Sequence, residues 1–155
     1  MITEDKEQAR MVDVIMYVVS LSQSAFRFAK GQPPFDFEDT ATAEYLMARN
    51  LPFIENEDVD YKVAHQAFIQ NMVENGWKKG PENFSTRTHP DIVSWDQLSK
   101  ESKEMYGYSA AMVCSAKGFY KSLKEDLESE FMSSFDKPAL FIASRKLCQC
   151  TERTQ

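Results

Sequence analysis

The chain has 155 residues, of which 43% are hydrophobic and 27% charged, so it is long enough for one domain and has the composition of an ordinary globular protein. The net charge of −6 and the pI near 5.0 argue against a nucleic-acid polymer as partner, because such binding needs a net basic face. Only five glycines and six prolines are present, which argues against a low-complexity chain.

The cysteines and the apolar runs indicate the compartment. Cys114, Cys148 and Cys150 are an odd number without a regular framework, which predicts a reduced, intracellular protein. The first ten residues, MITEDKEQAR, are polar and unlike a signal peptide. The longest apolar run, VIMYVV, is far shorter than the roughly 20 residues that span a bilayer. We therefore expect a cytoplasmic protein with no membrane partner.

Residues 3 to 30 have the pattern of a first helix. Apolar side chains recur there at three-to-four spacing, which is the period of an amphipathic helix. They are Met11, Val14 or Ile15, Val18, Leu21, Ala25 and Phe28. Lys30 and Gly31 predict the end of the helix. The apolar face is wide, so we expect it to contact the rest of the domain or a second copy of the chain.

Two further helices are predicted in the first half of the chain. One covers residues 38 to 49 and ends ahead of Pro52, which favours an extended backbone before it. The next covers residues 58 to 74, with Asn75 and Gly76 as its C-terminal cap. The predicted inner face of this third helix consists of Val59, Val63, Ala67 or Phe68, and Met72.

The second half of the chain is also predominantly helical by composition. Residues 91 to 98 fit a brief strand or a turn of 3₁₀ helix, and residues 99 to 135 fit a helix. We expect a break at Gly107 or Gly118, because an unbroken helix would be about 50 Å long and glycine costs about 1 kcal/mol inside a helix. A short strand is predicted at residues 139 to 144.

The predicted fold is therefore mainly α, a compact helical domain with a few short strands. We expect residues 1–155 to form a single domain of four consecutive segments. These are an N-terminal helical extension (1–57), a central segment (58–115), a C-terminal helix with a short strand (116–147) and a tail (148–155).

The stretch NGWKKGPENFSTRTHPD, residues 75 to 91, places a tryptophan in a polar loop. An exposed Trp77 would offer a flat face for stacking on a base, which is worth about 1–3 kcal/mol. Lys78, Lys79 and Arg87 would then supply positive charge for a phosphate. The alternative is that Trp77 fills the core at the end of the third helix, with the lysines simply solvated.

The sequence predicts different roles for the two histidines. His89 precedes Pro90, which holds its backbone extended, and its side chain could donate to a phosphate or ribose oxygen. The alternative for His89 is a structural role, in which it ties the loop to a neighbouring carbonyl. His65 lies beside the inner face of the third helix, and we expect it to be a packed, hydrogen-bonded residue at the edge of the core.

The third helix and the loop together resemble the RyR repeat, a domain named after the ryanodine receptor and also found alone in bacterial and phage proteins. The matching motifs appear in the order typical of that family, over about residues 58 to 115. They are HQAF at 65–68, GWKKGP at 76–81, RTHPDIVSW at 87–95 and LSKESKEMY at 98–106. The chain departs from the family at Lys79, where an aromatic is usual, and in the stretch after Gly80-Pro81, which is about one residue shorter.

The resemblance implies a binding site for an adenine nucleotide, in a cleft between two copies of the repeat where the tryptophan stacks on the base. This chain has one repeat, so a homodimer would complete the cleft. The predicted ligand-binding residues are Trp77, Lys78, Lys79, Arg87, His89 and Tyr106. The implied function is to sense or sequester an ADP-ribose-like or cyclic nucleotide signal, and in a phage such sequestration would blunt a nucleotide-based host defence.

Two other functions stay open from the sequence. One is a protein-interaction or structural module, in which Trp77 is buried and the first helix engages another protein. The other is a hydrolase or transferase acting on a nucleotide, but no nucleophile–base motif and no Walker loop is present, so we predict no enzyme, no catalytic residue and no cofactor. A zinc site from Cys148, Cys150, His65 and His89 would need an unusual fold-back, so no metal is predicted.

Overall fold

The computed structural model describes residues 4–127 of the chain. Four helices account for most of this part: α1 (Glu4–Ala29), α2 (Thr40–Glu55), α3 (Tyr61–Glu74) and α4 (Lys100–Leu127). Two short strands, β1 (Lys78–Lys79) and β2 (Thr88–His89), pair in parallel between α3 and α4, and a 3₁₀ turn covers Trp95–Gln97. The prediction of a mainly helical fold is confirmed. The strand predicted at 139–144 and the tail at 148–155 lie outside the described residues.

One hydrophobic core joins all four helices. α1 packs against α4, and α2 packs against both α3 and α4. The core includes residues from each helix: Ile15, Met16, Val19, Leu46, Phe53, Phe68, Met72, Tyr106 and Val113. The boundaries expected near residues 57 and 115 therefore do not separate packing units, and the second of them falls inside α4.

The buried face of α1 differs from the predicted one in its second half. Polar side chains turn inward there, whereas the apolar residues predicted to contact the domain or a second copy of the chain are exposed. The inward residues are Ser20, Gln23 and Ser24, and the exposed ones are Leu21, Ala25 and Phe28. The reason is a buried polar cluster: the Gln23 amide donates to Asn50 at 2.8 Å and to Ser109 at 3.2 Å, which joins α1 to α2 and α4.

α2 continues through Pro52 to Glu55, so the predicted end at residue 49 is wrong. Proline inside a helix costs about 3 kcal/mol. The extra turn buries Phe53 and Ile54, and each such side chain contributes about 1.5–3 kcal/mol when fully buried. Burial of these two residues offsets the cost of Pro52, which sequence propensity alone does not reveal.

α3 confirms Phe68 and Met72 as inner residues but corrects Val63. Val63 is exposed, and Ala64 and His65 take the inner position next to it. The helix begins at Tyr61, after the Asp60 cap, and its buried residues are Ala64, His65, Phe68 and Met72. His65 is fully buried, deeper than the core edge where we expected it.

α4 is a continuous helix of 28 residues, so the predicted break at Gly107 or Gly118 is wrong. Buried side chains on either side of each glycine hold α4 against the core, among them Tyr106, Val113, Ala116 and Tyr120. Their burial outweighs the cost of about 1 kcal/mol for each glycine. Over the described residues, no helix combines the length and apolar character needed to cross a membrane.

Candidate functional site

Trp77 is buried, with 2% of its surface exposed, because α3 ends in a Schellman motif. Gly76 adopts a positive φ of 86°, its N–H donates to Val73, and the N–H of Trp77 donates to Met72. This geometry reverses the chain and brings the residue after the glycine against the last helical turn. An aromatic residue after an Asn-Gly cap is the sequence signal for this inward turn, and it favours the alternative of a core tryptophan.

The indole of Trp77 forms part of a carboxylate cluster around Glu44 of α2. Glu44 Oε1 accepts from Trp77 Nε1 at 3.1 Å and from Arg87 Nε at 2.9 Å, and Oε2 accepts from Arg87 Nη2 at 3.4 Å. Both oxygens of this buried carboxylate therefore have donors. Because its ring is covered and its N–H is engaged, Trp77 does not present the stacking face that an exposed tryptophan would offer.

The three cations expected beside Trp77 have different roles, although the N–H of Lys78 donates to the carbonyl of Arg87 at 3.0 Å. Lys78 and Lys79 lie exposed on β1, and Arg87 holds Glu44 instead of a free phosphate position. Arg87 adopts a positive φ of 53°, in the turn that leads into β2. Of these predicted ligand residues, Arg87 meets Trp77 at the Glu44 carboxylate, which occupies its guanidinium, and the two lysine side chains are exposed.

A cavity of about 270 Å³ lies next to α2, lined in part by Tyr45 and Arg49 of that helix. Its walls come from the end of α1 and the segment after it, from α2, from residues 82 and 89–91, and from the first turns of α4. Three aromatic side chains line it: Phe26, Phe35 and Tyr45. Of the predicted ligand residues, His89 belongs to this cavity.

Arg49 forms the buried, charged part of the cavity wall, with 3% of its surface exposed. Its Nη2 donates to Asp91 at 2.9 Å and to the Tyr45 hydroxyl at 3.2 Å. Its Nε and Nη1 are buried and have no hydrogen-bond partner in the described part of the chain. The guanidinium lies over the ring of Phe68 at 4.2 Å, so the aromatic face partly compensates the charge.

Asp91 is the counter-ion of Arg49. Burial by itself would raise the pKa of Asp91, but the charge of Arg49 and the hydroxyl of Ser102, 2.7 Å away, hold it below its usual value. Burial by itself would lower the pKa of Arg49, but Tyr45, Tyr106 and Asp91 together raise it. Both groups are therefore charged at neutral pH, and this wall of the cavity holds a fixed ion pair.

His89 is held in one tautomer by its neighbours. Its Nδ1 accepts from the backbone N–H of Asp91 at 3.0 Å, so in the neutral ring the proton is on Nε2, 3.5 Å from Glu82. The ring also stacks on Tyr45, with centroids 5.0 Å apart. His89 is thus a positioned hydrogen-bond donor at the cavity wall.

Tyr106, the last predicted ligand residue, is fully buried beneath Arg49 and bonds to His65. His65 Nε2 donates to the carbonyl of Val93 at 2.6 Å, so Nδ1 accepts from the Tyr106 hydroxyl. Burial lowers the pKa of His65 and raises that of Tyr106. This pair supports the cavity wall from the core side.

The residues that sequence reasoning missed are charged side chains on helices and loops: Glu44, Arg49, Glu82 and Asp91. The sequence contains a pattern that indicates Arg49, because this residue lies four positions from both Tyr45 and Phe53 in an otherwise apolar stripe of α2. A charge inside such a stripe indicates a buried ion that needs a partner. Nothing local in the sequence identifies Asp91 as that partner.

Within residues 4–127, no group of three or more His, Cys, Asp or Glu side chains is arranged to hold a metal ion. Cys148 and Cys150, named for a zinc site, lie outside that range. No family model, no curated protein and no solved structure matches the chain. The resemblance to the RyR repeat therefore stays a prediction from the residues.

Proposed function

We propose that this protein is a non-catalytic binding module for a small ligand with a planar ring and an anionic group, of the nucleotide class, and that the ligand occupies the cavity beside Arg49. The observation that carries the proposal is the lining of this one cavity, where the aromatic rings of Phe26, Phe35 and Tyr45 lie beside the cations Arg27, Lys30 and Arg49. An aromatic ring offers a stacking face for a base, and a guanidinium or ammonium group attracts an anion.

The aromatic wall of the cavity supports the ring half of this ligand. Phe26, Phe35 and Tyr45 line one space, and stacking of a base on one such ring is worth about 1–3 kcal/mol. The cavity is close to the lower end of the sizes typical of ligand sites, which is about 300 Å³. A mononucleotide-sized group fits this scale better than a large cofactor does.

The cations of the cavity support the anionic half. Arg27, Lys30 and Arg49 all line it, and guanidinium groups bind phosphate through paired hydrogen bonds. A micromolar dissociation constant corresponds to a binding free energy of about 8 kcal/mol. Stacking alone supplies less than this, so charge contacts are needed as well. In this proposal the site lies in one chain, and the protein senses or sequesters its ligand without changing it.

Isothermal titration calorimetry with adenosine monophosphate, ADP and ADP-ribose tests the proposal. We expect at least one of them to bind, and we expect Lys30→Glu to weaken it about tenfold, or by about 1.4 kcal/mol, because the change reverses a charge at the cavity rim. The matched control is Lys79→Glu, the same charge change on exposed β1, which should leave binding within twofold.

Two results would count against the proposal. Equal weakening by Lys30→Glu and Lys79→Glu would show that only net charge matters and that the cavity is not the site. The second result comes from prolonged incubation of the ligand with the protein, after which the recovered ligand is analysed by chromatography. Hydrolysed or transferred ligand would mean that the protein is an enzyme.

A second candidate function, interaction with a second copy of the chain, is favoured by the exposed apolar face of α1. Phe28 has 68% of its surface exposed, and Leu21 and Ala25 lie on the same side of the helix. A two-fold dimer through this face would bury them. Light scattering after gel filtration should then show a dimer that Phe28→Ser dissociates, whereas the same kind of change at Val73, an exposed residue of α3, should leave it intact. A monomer at all concentrations would exclude this candidate.

A further inference from the structure

Glu82, in the loop between β1 and β2, already places a carboxylate on two donors of the cavity wall. Its Oε1 lies 2.5 Å from Arg27 Nη2, and its Oε2 lies 3.5 Å from His89 Nε2. Burial by itself would raise the pKa of Glu82, but the hydrogen bonds from His89 and Arg27 lower it to about 2. These two donors therefore strongly favour an anion at this position.

Both donors are held in place independently of Glu82. Arg27 Nε donates to the carbonyl of Pro33 at 2.6 Å, and its guanidinium lies 5.0 Å from the ring centroid of Phe35. His89 is fixed by the N–H of Asp91 and by stacking on Tyr45. Removal of the Glu82 carboxylate would leave both donors aimed at the same point, so the position is preorganised for an anion.

Glu82 itself has few restraints. Within residues 4–127 its side chain bonds to Arg27 and His89 alone, and 29% of it is exposed. By contrast, Asp91 is held by both Arg49 and Ser102 and is 11% exposed. The Glu82 side chain can rotate into solvent without disturbing the core, whereas Asp91 cannot leave its site.

We propose that the Glu82 carboxylate stands in for the anionic group of the ligand, and that the ligand is a phosphate ester whose phosphoryl oxygens displace Glu82 from Arg27 and His89. This inference rests on the proposed function of the cavity. A phosphoryl group has more acceptor oxygens and more negative charge than the carboxylate it replaces, and Lys30 and Arg49 line the same space. Glu82 then selects against uncharged ligands, because only an anion replaces the contacts that it gives up.

Calorimetric titration of adenosine and of adenosine monophosphate into the wild type and Glu82→Gln tests this displacement. We expect Glu82→Gln to bind the monophosphate about tenfold more tightly, because the competing charge is gone, while its affinity for adenosine changes less than twofold. The matched control is Glu101→Gln, which removes the same charge from an exposed position lining the same cavity and should change monophosphate affinity less than threefold. If the glutamine variant does not fold, Glu82→Met removes the charge at similar length and should give the same gain.

Weaker binding of the monophosphate by Glu82→Gln would mean that Glu82 positions the donors for the ligand, which overturns the inference while the cavity remains the site. An equal gain in Glu82→Gln and Glu101→Gln would overturn it too, because the effect would then be general electrostatics. If neither protein binds either compound, and the ADP and ADP-ribose titrations are also flat, the proposed function itself fails.

Discussion

Glu44 and Arg49 lie five residues apart on α2, and both are buried charges, but their surroundings differ. Glu44 has donors on both oxygens, supplied by Trp77 and Arg87, and the cluster is closed by packed aromatic rings. Arg49 has partners on one nitrogen, and its other two buried nitrogens have none in the described residues. A cavity lies beside Arg49.

The difference separates a structural charge from a candidate binding charge. A satisfied buried ion ties elements together, and a ligand could gain little by approaching it. A guanidinium in the wall of a cavity, by contrast, attracts the anionic group of a ligand that enters the cavity. Trp77, the residue that the sequence suggested for stacking, belongs to a structural site around Glu44. Arg49, which no sequence motif indicated, belongs to the candidate binding site.

The largest expected effect is at the Glu44 cluster. Trp77→Ala should lower the free energy of unfolding by about 3–5 kcal/mol, because it empties a core position and removes a donor to Glu44. Urea unfolding measures this loss, and Trp77→Phe, which keeps most of the volume, should cost clearly less. A Trp77→Ala protein of unchanged stability that no longer binds nucleotide would restore tryptophan stacking as the binding mode.

Breaking the ion pair of Arg49 should come next in size. Asp91→Ala leaves the guanidinium buried without its counter-ion, and we expect a loss of about 3 kcal/mol in the free energy of unfolding. Chemical denaturation is the measurement, with Asp96→Ala, an exposed acid in the 3₁₀ turn, as control. Equal stability of Asp91→Ala and wild type would mean that Arg49 reaches solvent or another partner.

Glu44→Gln tests the contribution of the Glu44 charge to stability, because it keeps the size of the side chain and one acceptor oxygen. The amide oxygen still accepts from Trp77 or Arg87, but the charge is lost, so a cost of about 1–2 kcal/mol is expected. Thermal unfolding gives the change in stability, and calorimetric titration should give unchanged ligand affinity. A large drop in affinity with intact stability would place the ligand at Glu44 and reverse the contrast between the two charges.

The smallest effect is a pH dependence from His65, which supports the wall behind Arg49. Its pKa is lowered by burial, so below about pH 6.5 the unfolded chain binds a proton that the folded chain does not. The stability contributed by neutral His65 should therefore decline as pH falls below about 6.5, by at most about 1.4 kcal/mol per pH unit. Urea midpoints at pH 7.5, 6.5 and 5.5 measure it, and His65→Gln should show a shallower decline. Identical slopes would mean that His65 does not set this dependence.

Local sequence patterns predicted much of the backbone. Apolar spacing predicted the first and third helices, composition predicted the last, and the glycines at 31 and 76 identified two helix ends, each with a positive φ. Local propensity predicted the wrong end for α2 and a break in α4 that does not exist. Burial of residues such as Phe53 and Tyr106 outweighs the cost of a few kcal/mol that proline and glycine carry inside a helix.

The sequence by itself determined the helical class, the helix ends at Gly31 and Gly76 and the presence of a cation-rich polar loop, since these depend on neighbours within a few positions. Only the tertiary structure decided that Trp77 turns inward to Glu44, 33 residues away, and that Arg49 meets Asp91, 42 residues away. It also decided which face of α1 is buried, through the bond from Gln23 to Ser109. The physical reason is that a buried polar group must find its partner wherever the fold brings one, and sequence distance places no limit on that choice.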